Sequence, residues 1–334
     1  SDKGYQIEGS ENMELERLLQ GAHRVALGGH VRPDGDCVGS TMGLYLYLKE
    51  NFPQIETDLY LESVPEAYSM IRHTDEVKSE LPEGKIYDLF ICMDCGDLQR
   101  LGFSQKLFIE SKQTACIDHH VSNEAFADVN YIVPDASSTS ELVYNLLDYD
   151  KMSLETAEAL YMGIAHDTGI FRYSCTSPET MEAAAQLMRK GVDTAKITDR
   201  TYYEKTYVQN QILGRALLES IMVLDQRCIV SVVRLKEMEF FQAKPSDLEG
   251  IVSQMRQTKG VEVAMFLHET APQTFKVSLR SKERVDVSRI AKYFGGGGHV
   301  RAAGVTMKGS VHDVINNLTA LIEKQLDEKI EQED

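Results

Sequence analysis

The sequence predicts an α/β protein with a mostly parallel sheet flanked by helices, followed by a second, smaller α/β domain. Short apolar runs at residues 25–30, 87–93 and 114–117 alternate with stretches of helical periodicity, which is typical of parallel strands covered by helices. The chain of 334 residues is also longer than one small domain requires, so two hydrophobic cores are expected.

Helical patterns follow the apolar runs of the first half. Ser177-Pro178 is a typical helix start, because proline is favoured at the first helical position. Serine residues that can cap a helix also open two further patterns. Helices are therefore predicted at 36–52, 138–147 and 153–165, and from about 180 to 220 with no long break.

The last third of the chain changes character. Strands are predicted at 221–224, 228–233, 261–267 and 275–279, and helices near 247–258, 286–294 and 311–328. We therefore expect a first domain at 11–190, a helical connector at 191–220 and a second domain at 221–330.

The charge balance restricts the partners. With 35 Lys and Arg against 52 Asp and Glu, the net charge is −17, which argues against a protein that coats long nucleic acid. A short anionic ligand remains compatible, because residues 273–301 hold seven basic side chains and only two acidic ones.

Neither a membrane span nor a secretory signal is predicted. No stretch approaches the roughly 20 apolar residues that cross a bilayer, and residues 1–10 lack the apolar core of a signal peptide. Cys92 and Cys95 form a C-x-x-C without a second cysteine pair, so reduced thiols in a core are favoured over a zinc or redox site. We expect a cytoplasmic protein.

Clusters of Asp and His each follow an apolar element. They are His30-Val-Arg-Pro-Asp34-Gly-Asp36, Asp94, Asp118-His119-His120 and His166-Asp167. A single carboxylate at a strand end is usually a turn or cap residue, but so many together would repel one another without a cation. Imidazole with carboxylate suits Mn²⁺, with Mg²⁺ or Co²⁺ as alternatives. A bridging carboxylate would hold two such ions about 3.5–4 Å apart.

Glycines at 295–298 predict a phosphate-binding loop, because glycine lets backbone N–H groups approach a phosphate closely. His299 and Arg301 add charged donors directly after it. A flexible linker is the alternative, which the helical pattern before the glycines disfavours. Arg100 has two open interpretations, a phosphate contact or a solvated surface arginine.

This ordered set of motifs resembles the DHH phosphoesterase superfamily. The C-terminal part is similar to the companion substrate domain of that superfamily. The motifs there are Arg280-Ser281 and Gly295-Gly-Gly-Gly-His299-Val-Arg301-Ala-Ala-Gly304. Together the motifs of both parts extend from about residue 23 to 307, nearly the whole chain.

The resemblance implies roles for individual residues. One metal would bind His30, Asp34 and Asp94, and a second would bind Asp36, Asp94, His119 and Asp167. His120 would face the substrate, either as a proton donor to the leaving oxygen or as a contact to the phosphate. Asp118 would orient the adjacent histidine. Substrate contacts would come from Arg280, Ser281, Gly296, Gly297, Gly298, His299 and Arg301. His166 is interpreted as an auxiliary or packed residue.

Within the superfamily, the domain pairing resembles stand-alone oligoribonucleases. It implies hydrolysis of oligoribonucleotides of about two to five nucleotides to mononucleotides, and of 3′-phosphoadenosine 5′-phosphate to AMP. A cyclic-dinucleotide or linear dinucleotide phosphodiesterase is the first alternative, because it needs the same metals. A family II inorganic pyrophosphatase lacks this C-terminal Gly-rich pattern. A non-catalytic nucleotide-binding module is disfavoured, since no ligand is missing. Whether the chain forms a homodimer is left open.

Overall fold

The computed structural model describes residues 14–330, with only the backbone of the last two. The polar N-terminal segment 1–10 and the first three residues of the predicted domain lie outside the described residues. The chain forms two compact units, divided between residues 204 and 205. The boundaries at 190 and 220 stay predictions. Within the described part, no helix is long and apolar enough to cross a bilayer.

The first unit contains a five-stranded sheet in the order β2-β1-β3-β4-β5, with every neighbouring pair parallel. Its strands are β1 (Arg24–Gly28), β2 (Glu56–Tyr60), β3 (Leu89–Met93), β4 (Gln113–Asp118) and β5 (Val129–Ile132). The three predicted apolar runs form the centre of this sheet. The prediction of a parallel α/β sheet is therefore confirmed.

Helices cover this sheet. They are α1 (Leu15–Leu18), α2 (Gly35–Asn51), α3 (Gln105–Glu110), α4 (Thr139–Leu146), α5 (Leu154–Asp167), α6 (Pro178–Arg189) and α7 (Thr194–Thr198). Short 3₁₀ turns lie at Glu66–Tyr68, Thr74–Glu76, Leu98–Ser104 and Tyr149–Lys151, and a π-helical turn at Asp199–Tyr203. The predicted serine caps are confirmed at Ser138, Ser153 and Ser177, each of which accepts a backbone N–H of its helix.

Helices α2 and α5 pack closely because both carry glycine where they meet. A Cβ at Gly39 would lie 2.6 Å from the Ala159 carbonyl oxygen and 2.8 Å from the Gly163 Cα. Only glycine avoids these clashes. The close packing brings the first turn of α2, with Asp36, toward the C-terminal end of α5, with Asp167.

The second unit contains a six-stranded mixed sheet in the order β10-β11-β9-β8-β7-β6. Its strands are β6 (Ile221–Val223), β7 (Cys228–Val233), β8 (Val263–Ala271), β9 (Thr274–Ser281), β10 (Gly297–His299) and β11 (Ala302–Lys308). Only β7 and β8 pair in parallel. The glycine segment is thus partly a strand, paired with β11 in a hairpin.

Two hydrophobic cores lie in the second unit. One contains side chains of β9 and β11, and the other contains Ile212, Ala216 and Met255. The helices are α8 (Tyr207–Leu218), α9 (Leu235–Phe241), α10 (Ile251–Arg256), α11 (Val287–Tyr293) and α12 (Val311–Ile330), with a 3₁₀ turn at Pro245–Leu248. The prediction of a second, smaller α/β domain is confirmed.

Candidate metal centre and substrate residues

The candidate metal centre lies at the carboxyl ends of three neighbouring parallel strands. His30 follows β1, Asp94 follows β3 directly, and His119 follows β4. The other two elements are helix ends, since Asp36 lies in the first turn of α2 and Asp167 is the last residue of α5. Side chains far apart in the chain therefore converge, as the carboxyl edge of an open α/β sheet allows.

The first half of the centre is built around His30. Its Nε2 lies 3.5 Å from Asp34 Oδ2 and 3.4 Å from Asp94 Oδ2. Its Nδ1 lies 2.8 Å from the carbonyl oxygen of Val31, which orients the ring. Because a neutral imidazole donates at only one nitrogen, this arrangement leaves Nε2 free to bind a cation.

The second half is built around His119. Its Nε2 lies 3.1 Å from Asp167 Oδ2, 3.6 Å from Asp94 Oδ1 and 4.0 Å from Asp36 Oδ2. The two oxygens of Asp94 therefore face different histidines, Oδ2 toward His30 and Oδ1 toward His119. A carboxylate in this position can bridge two cations.

The charges of the centre fit a cation. His30, Asp36 and Asp94 are at most 4% exposed, so water cannot solvate them well. Burial and the charges of Asp94 and Asp167 raise the pKa of Asp36. Burial lowers the pKa of His119, but its hydrogen bond to Asp167 and the Asp36 charge outweigh burial and raise the pKa to about 10. Four carboxylates therefore lie close together and need nearby positive charge, which divalent cations can supply.

His120 adjoins the centre, with its Nδ1 3.8 Å from Asp94 Oδ1. Its Nδ1 lies 2.7 Å from Asp118 Oδ1, and this hydrogen bond raises the pKa of His120. Asn123 donates to the other oxygen of Asp118 at 2.7 Å. Asp118 is fully buried, whereas the His120 side chain is 32% exposed, so its Nε2 can meet a ligand.

The start of α4 donates hydrogen bonds to two carboxylates of the centre. The sequence analysis did not find these hydrogen bonds. The backbone N–H of Thr139 donates to Asp36 Oδ2 at 2.7 Å, and that of Ser140 donates to Asp36 Oδ1 at 2.9 Å. The Thr139 hydroxyl donates to Asp94 Oδ1 at 3.2 Å. Helix N-termini bind anions in this way. The run Ser-Ser-Thr-Ser at a helix start was the available signal.

His166 is packed rather than grouped with the candidate ligands. Its Nε2 lies 2.9 Å from the Thr201 hydroxyl, and its ring makes edge contacts with Tyr68 and Tyr202. A Cβ at Gly35 would lie 2.3 Å from the His166 ring. This environment agrees with the interpretation of a packed histidine.

The glycine hairpin of the second unit is sterically restricted. A Cβ at Gly296 would lie 2.3 Å from the Gly304 carbonyl oxygen, and one at Gly298 2.5 Å from the Ala302 carbonyl oxygen. Gly297 has open space around it, and His299 is exposed. The hairpin therefore leaves a backbone edge beside an exposed imidazole.

Two other predicted substrate residues make contacts within the protein. Arg301 Nη1 donates to the Val285 carbonyl oxygen at 2.9 Å, and Nη2 donates to that of Glu283. The buried Ser281 hydroxyl lies 3.4 Å from the Val300 carbonyl oxygen. Both side chains therefore support the hairpin turn, and their predicted contacts with substrate stay predictions.

Arg280 has a cationic neighbour that the sequence analysis missed. Arg256 Nη1 donates to the Ser281 carbonyl oxygen at 3.2 Å. Burial and the Arg256 charge lower the pKa of Arg280. Across residues 14–328 neither guanidinium has a carboxylate within ion-pair distance, so the pair suits an anion. The sequence analysis missed Arg256 because basic residues are common at helix C-termini and nothing in the sequence distinguishes this one.

Arg100 lies in the first unit, in the 3₁₀ turn after β3. Its carbonyl oxygen accepts the Val31 N–H at 2.7 Å, which joins this turn to the loop that holds His30. Its guanidinium makes no ion pair with any side chain that the structure describes. The predicted phosphate contact stays a prediction.

Sequence comparison supports a known family for both units. Residues 24–164 match the DHH family, N-terminal domain, and residues 225–328 match the DHHA1 domain. The bifunctional oligoribonuclease and PAP phosphatase NrnA of Thermus thermophilus is 31% identical, over 89% of this chain and 87% of that relative. The chain therefore belongs to the DHH family.

Two further proteins are similar to this chain. The cyclic-di-AMP phosphodiesterase GdpP of Bacillus subtilis is 27% identical over 93% of this chain, but the match covers 49% of that relative. A solved exopolyphosphatase-related protein from Bacteroides fragilis shares the fold with a TM-score of 0.82. It is 25% identical over 92% of this chain and 94% of that chain.

Proposed function

We propose that this chain is a metal-dependent phosphoesterase that hydrolyses short oligoribonucleotides to mononucleotides and 3′-phosphoadenosine 5′-phosphate to AMP. The observation that carries the proposal is the Asp94 carboxylate, whose oxygens face His30 and His119 separately at 3.4 and 3.6 Å. Membership of the DHH family and similarity to an oligoribonuclease and PAP phosphatase over nearly the whole chain support it.

The two halves of the centre would each hold one divalent cation, and Mn²⁺ is the ion proposed for both. The first would bind His30, Asp34 and Asp94, and the second Asp36, Asp94, His119 and Asp167. When bound, such ions supply positive charge to phosphate oxygens and favour ionisation of the attacking water.

The protein's own groups complete the reaction. His120, whose Nδ1 donates to Asp118, would present a protonated Nε2 to the leaving oxygen or to the scissile phosphate. Asp118 holds that ring in place, and Asn123 in turn holds Asp118. In the second unit, Arg280 and the exposed edge of the glycine hairpin with His299 would bind a substrate phosphate.

The proposed substrates are small because the basic segment found in the sequence, residues 273–301, is short. The net charge of −17 disfavours the binding of a long strand of phosphates. A cyclic-dinucleotide or linear dinucleotide phosphodiesterase is the second candidate, because a relative of this chain is a cyclic-di-AMP phosphodiesterase. Both candidates need the same metal centre, so substrate preference separates them.

A substrate panel tests the proposal. Purified protein with Mn²⁺ is assayed against a linear dinucleotide, a five-nucleotide RNA, 3′-phosphoadenosine 5′-phosphate and cyclic-di-AMP. We expect mononucleotides from the two RNAs and AMP from the phosphorylated adenosine. Efficient hydrolysis of cyclic-di-AMP alone would favour the second candidate. No hydrolysis of any compound, with metal bound, would contradict both.

A further inference from the structure

A cluster of three tyrosines, Tyr173, Tyr202 and Tyr203, lies near the C-terminal end of α5 in the first unit, and the proposed function assigns it no role. The rings of Tyr202 and Tyr203 pack edge to face, with 5.2 Å between their centroids. Burial and the neighbouring Tyr173 hydroxyl raise the pKa of Tyr202 to about 12. Tyr202 is partly buried, whereas Tyr173 is 44% exposed and Tyr203 is 57% exposed. The tyrosine cluster therefore presents two aromatic rings to solvent.

One histidine ring connects the tyrosine cluster to the first turn of α2. Tyr202 packs edge to face against His166, with 5.2 Å between the ring centroids. The His166 ring also lies against Gly35, where an added Cβ would be 2.3 Å from it. Gly35 lies between Asp34 and Asp36 in the chain. A single packed ring therefore separates Tyr202 from the segment that holds two candidate metal ligands.

Tyr173 lies beside another helix end of the centre and has a cation as its neighbour. A Cβ at Gly169, two residues after Asp167, would lie 2.4 Å from the Tyr173 ring. The guanidinium of Arg172 lies 5.7 Å from the centroid of that ring. Arg172 is exposed, and it makes no ion pair with any carboxylate that the structure describes. Exposed aromatic rings beside a cation are typical of surfaces on which the bases of single-stranded nucleotides stack.

We propose that Tyr173 and Tyr203 form a stacking surface for a nucleobase of the substrate. Stacking needs only the face of a base, so this surface accepts every base but gives no binding to a phosphate compound that lacks one. The surface differs from the phosphate contacts proposed in the second unit, because it recognises the base and belongs to the unit that holds the metal ligands. This inference rests on the proposed function, since it adds a contact to the same substrate.

Equilibrium binding tests the stacking without hydrolysis. The probe is a dinucleotide with 2-aminopurine as its bases and a non-hydrolysable methylenephosphonate linkage, and its fluorescence changes when a base stacks. The chain contains no Trp, so the protein does not interfere. With Mg²⁺ present, Tyr173→Ala and Tyr203→Ala should each raise Kd roughly 5- to 100-fold.

The control variants separate the aromatic ring from other effects. Tyr173→Phe and Tyr203→Phe keep the ring, so their Kd should stay within about twofold of that of the unmodified protein. Phe240→Ala removes an exposed aromatic ring of the second unit and should leave Kd unchanged. Equal Kd values for the Ala and Phe variants, or no binding of the probe to the unmodified protein, would overturn the inference.

Abasic substrates form the second arm, because they distinguish stacking from a structural role. With Mn²⁺, kcat/KM is measured for a dinucleotide and for two compounds that each lack one of its bases. Tyr203→Ala should lose roughly 5- to 100-fold on the dinucleotide but less than about twofold on the compound without the stacked base. An equal loss on all three compounds would mean that the ring only supports the fold. If no compound is hydrolysed, the proposed function fails, while the fluorescence titration still decides whether the rings bind a base.

Discussion

Asp94 has a backbone conformation that is uncommon among residues other than glycine. Its φ of 55° lies in the left-handed region, where side chains other than glycine are disfavoured. The cost is of order 1 kcal/mol, and the Asp94 N–H bond to the Ile117 carbonyl oxygen at 3.1 Å helps to offset it. Such strain concentrates at functional sites. Here it turns the carboxylate so that each oxygen faces a different histidine.

Removing the Asp94 carboxylate should therefore affect both halves of the centre. We expect Asp94→Ala to lower kcat by at least about 10³-fold and to reduce bound manganese from about two ions per chain to one or none. Metal content by elemental analysis and single-turnover kinetics measure the two effects. Glu124→Ala, which removes an exposed carboxylate of the same unit, is the control. Near-normal turnover with two bound ions would exclude Asp94 from the site.

Arg256 should bind substrate rather than metal. Because no carboxylate within residues 14–328 neutralises it or Arg280, a phosphate is a suitable partner for the pair. A charge-assisted contact contributes about 1.5–3 kcal/mol, so Arg256→Ala should raise KM roughly 10- to 100-fold with metal content unchanged. Steady-state kinetics on a dinucleotide test this. The exposed Arg234→Ala should leave KM unchanged, and an equal KM in both variants would remove Arg256 from the substrate site.

At the scale of elements, α4 links helix stability to the metal centre. Its first-turn N–H groups hold Asp36, and its cap, Ser138, accepts the Glu141 N–H at 3.1 Å. Loss of an N-cap costs about 1 kcal/mol and loosens the first turn. The position of Asp36 should then be less well defined.

Ser138→Ala should consequently lower both stability and manganese affinity. We expect the free energy of unfolding to fall by about 1 kcal/mol and the manganese Kd to rise by roughly tenfold. Ser153→Ala is the matched control, because it removes the cap of α5 at the end remote from Asp167. It should cost similar stability and leave the Kd unchanged. Chemical denaturation and calorimetric titration supply the values, and equal Kd values would mean that α4 is only structural.

The same elements show what a sequence can predict. Strands β1, β3 and β4 were predictable because they are continuous apolar runs, and the groups after them had to meet at one sheet edge. Strand β2 was missed because it begins with polar residues, and β5 because it is short and half-buried. The hydrogen bonds from α4 to Asp36 join residues 103 and 104 positions apart. Such contacts, like the proximity of Arg256 and Arg280, depend on tertiary packing. The hydrophobic periodicity of a sequence does not predict them.

At the scale of the whole molecule, the net charge of the protein favours the short proposed substrates over longer RNA. The chain carries −17, whereas the segment 273–301, with β9 and the glycine hairpin, holds seven basic residues and two acidic ones. A short substrate has few phosphates, so a basic segment of this size can neutralise them. Further nucleotides would meet a negatively charged protein, so they would add little binding free energy.

Catalytic efficiency should therefore be highest for two to five nucleotides and fall for longer RNA. Each phosphate neutralised on a single strand adds about 0.7 to the slope of log affinity against log salt, so a few contacts produce a shallow slope. The measurement is kcat/KM for RNAs of 2, 5, 12 and 24 nucleotides at two salt concentrations. A 24-nucleotide RNA of the same sequence with a 3′ block controls for the number of ends. If efficiency rises with length and the salt slope is steep, an extended cationic groove must exist despite the net charge.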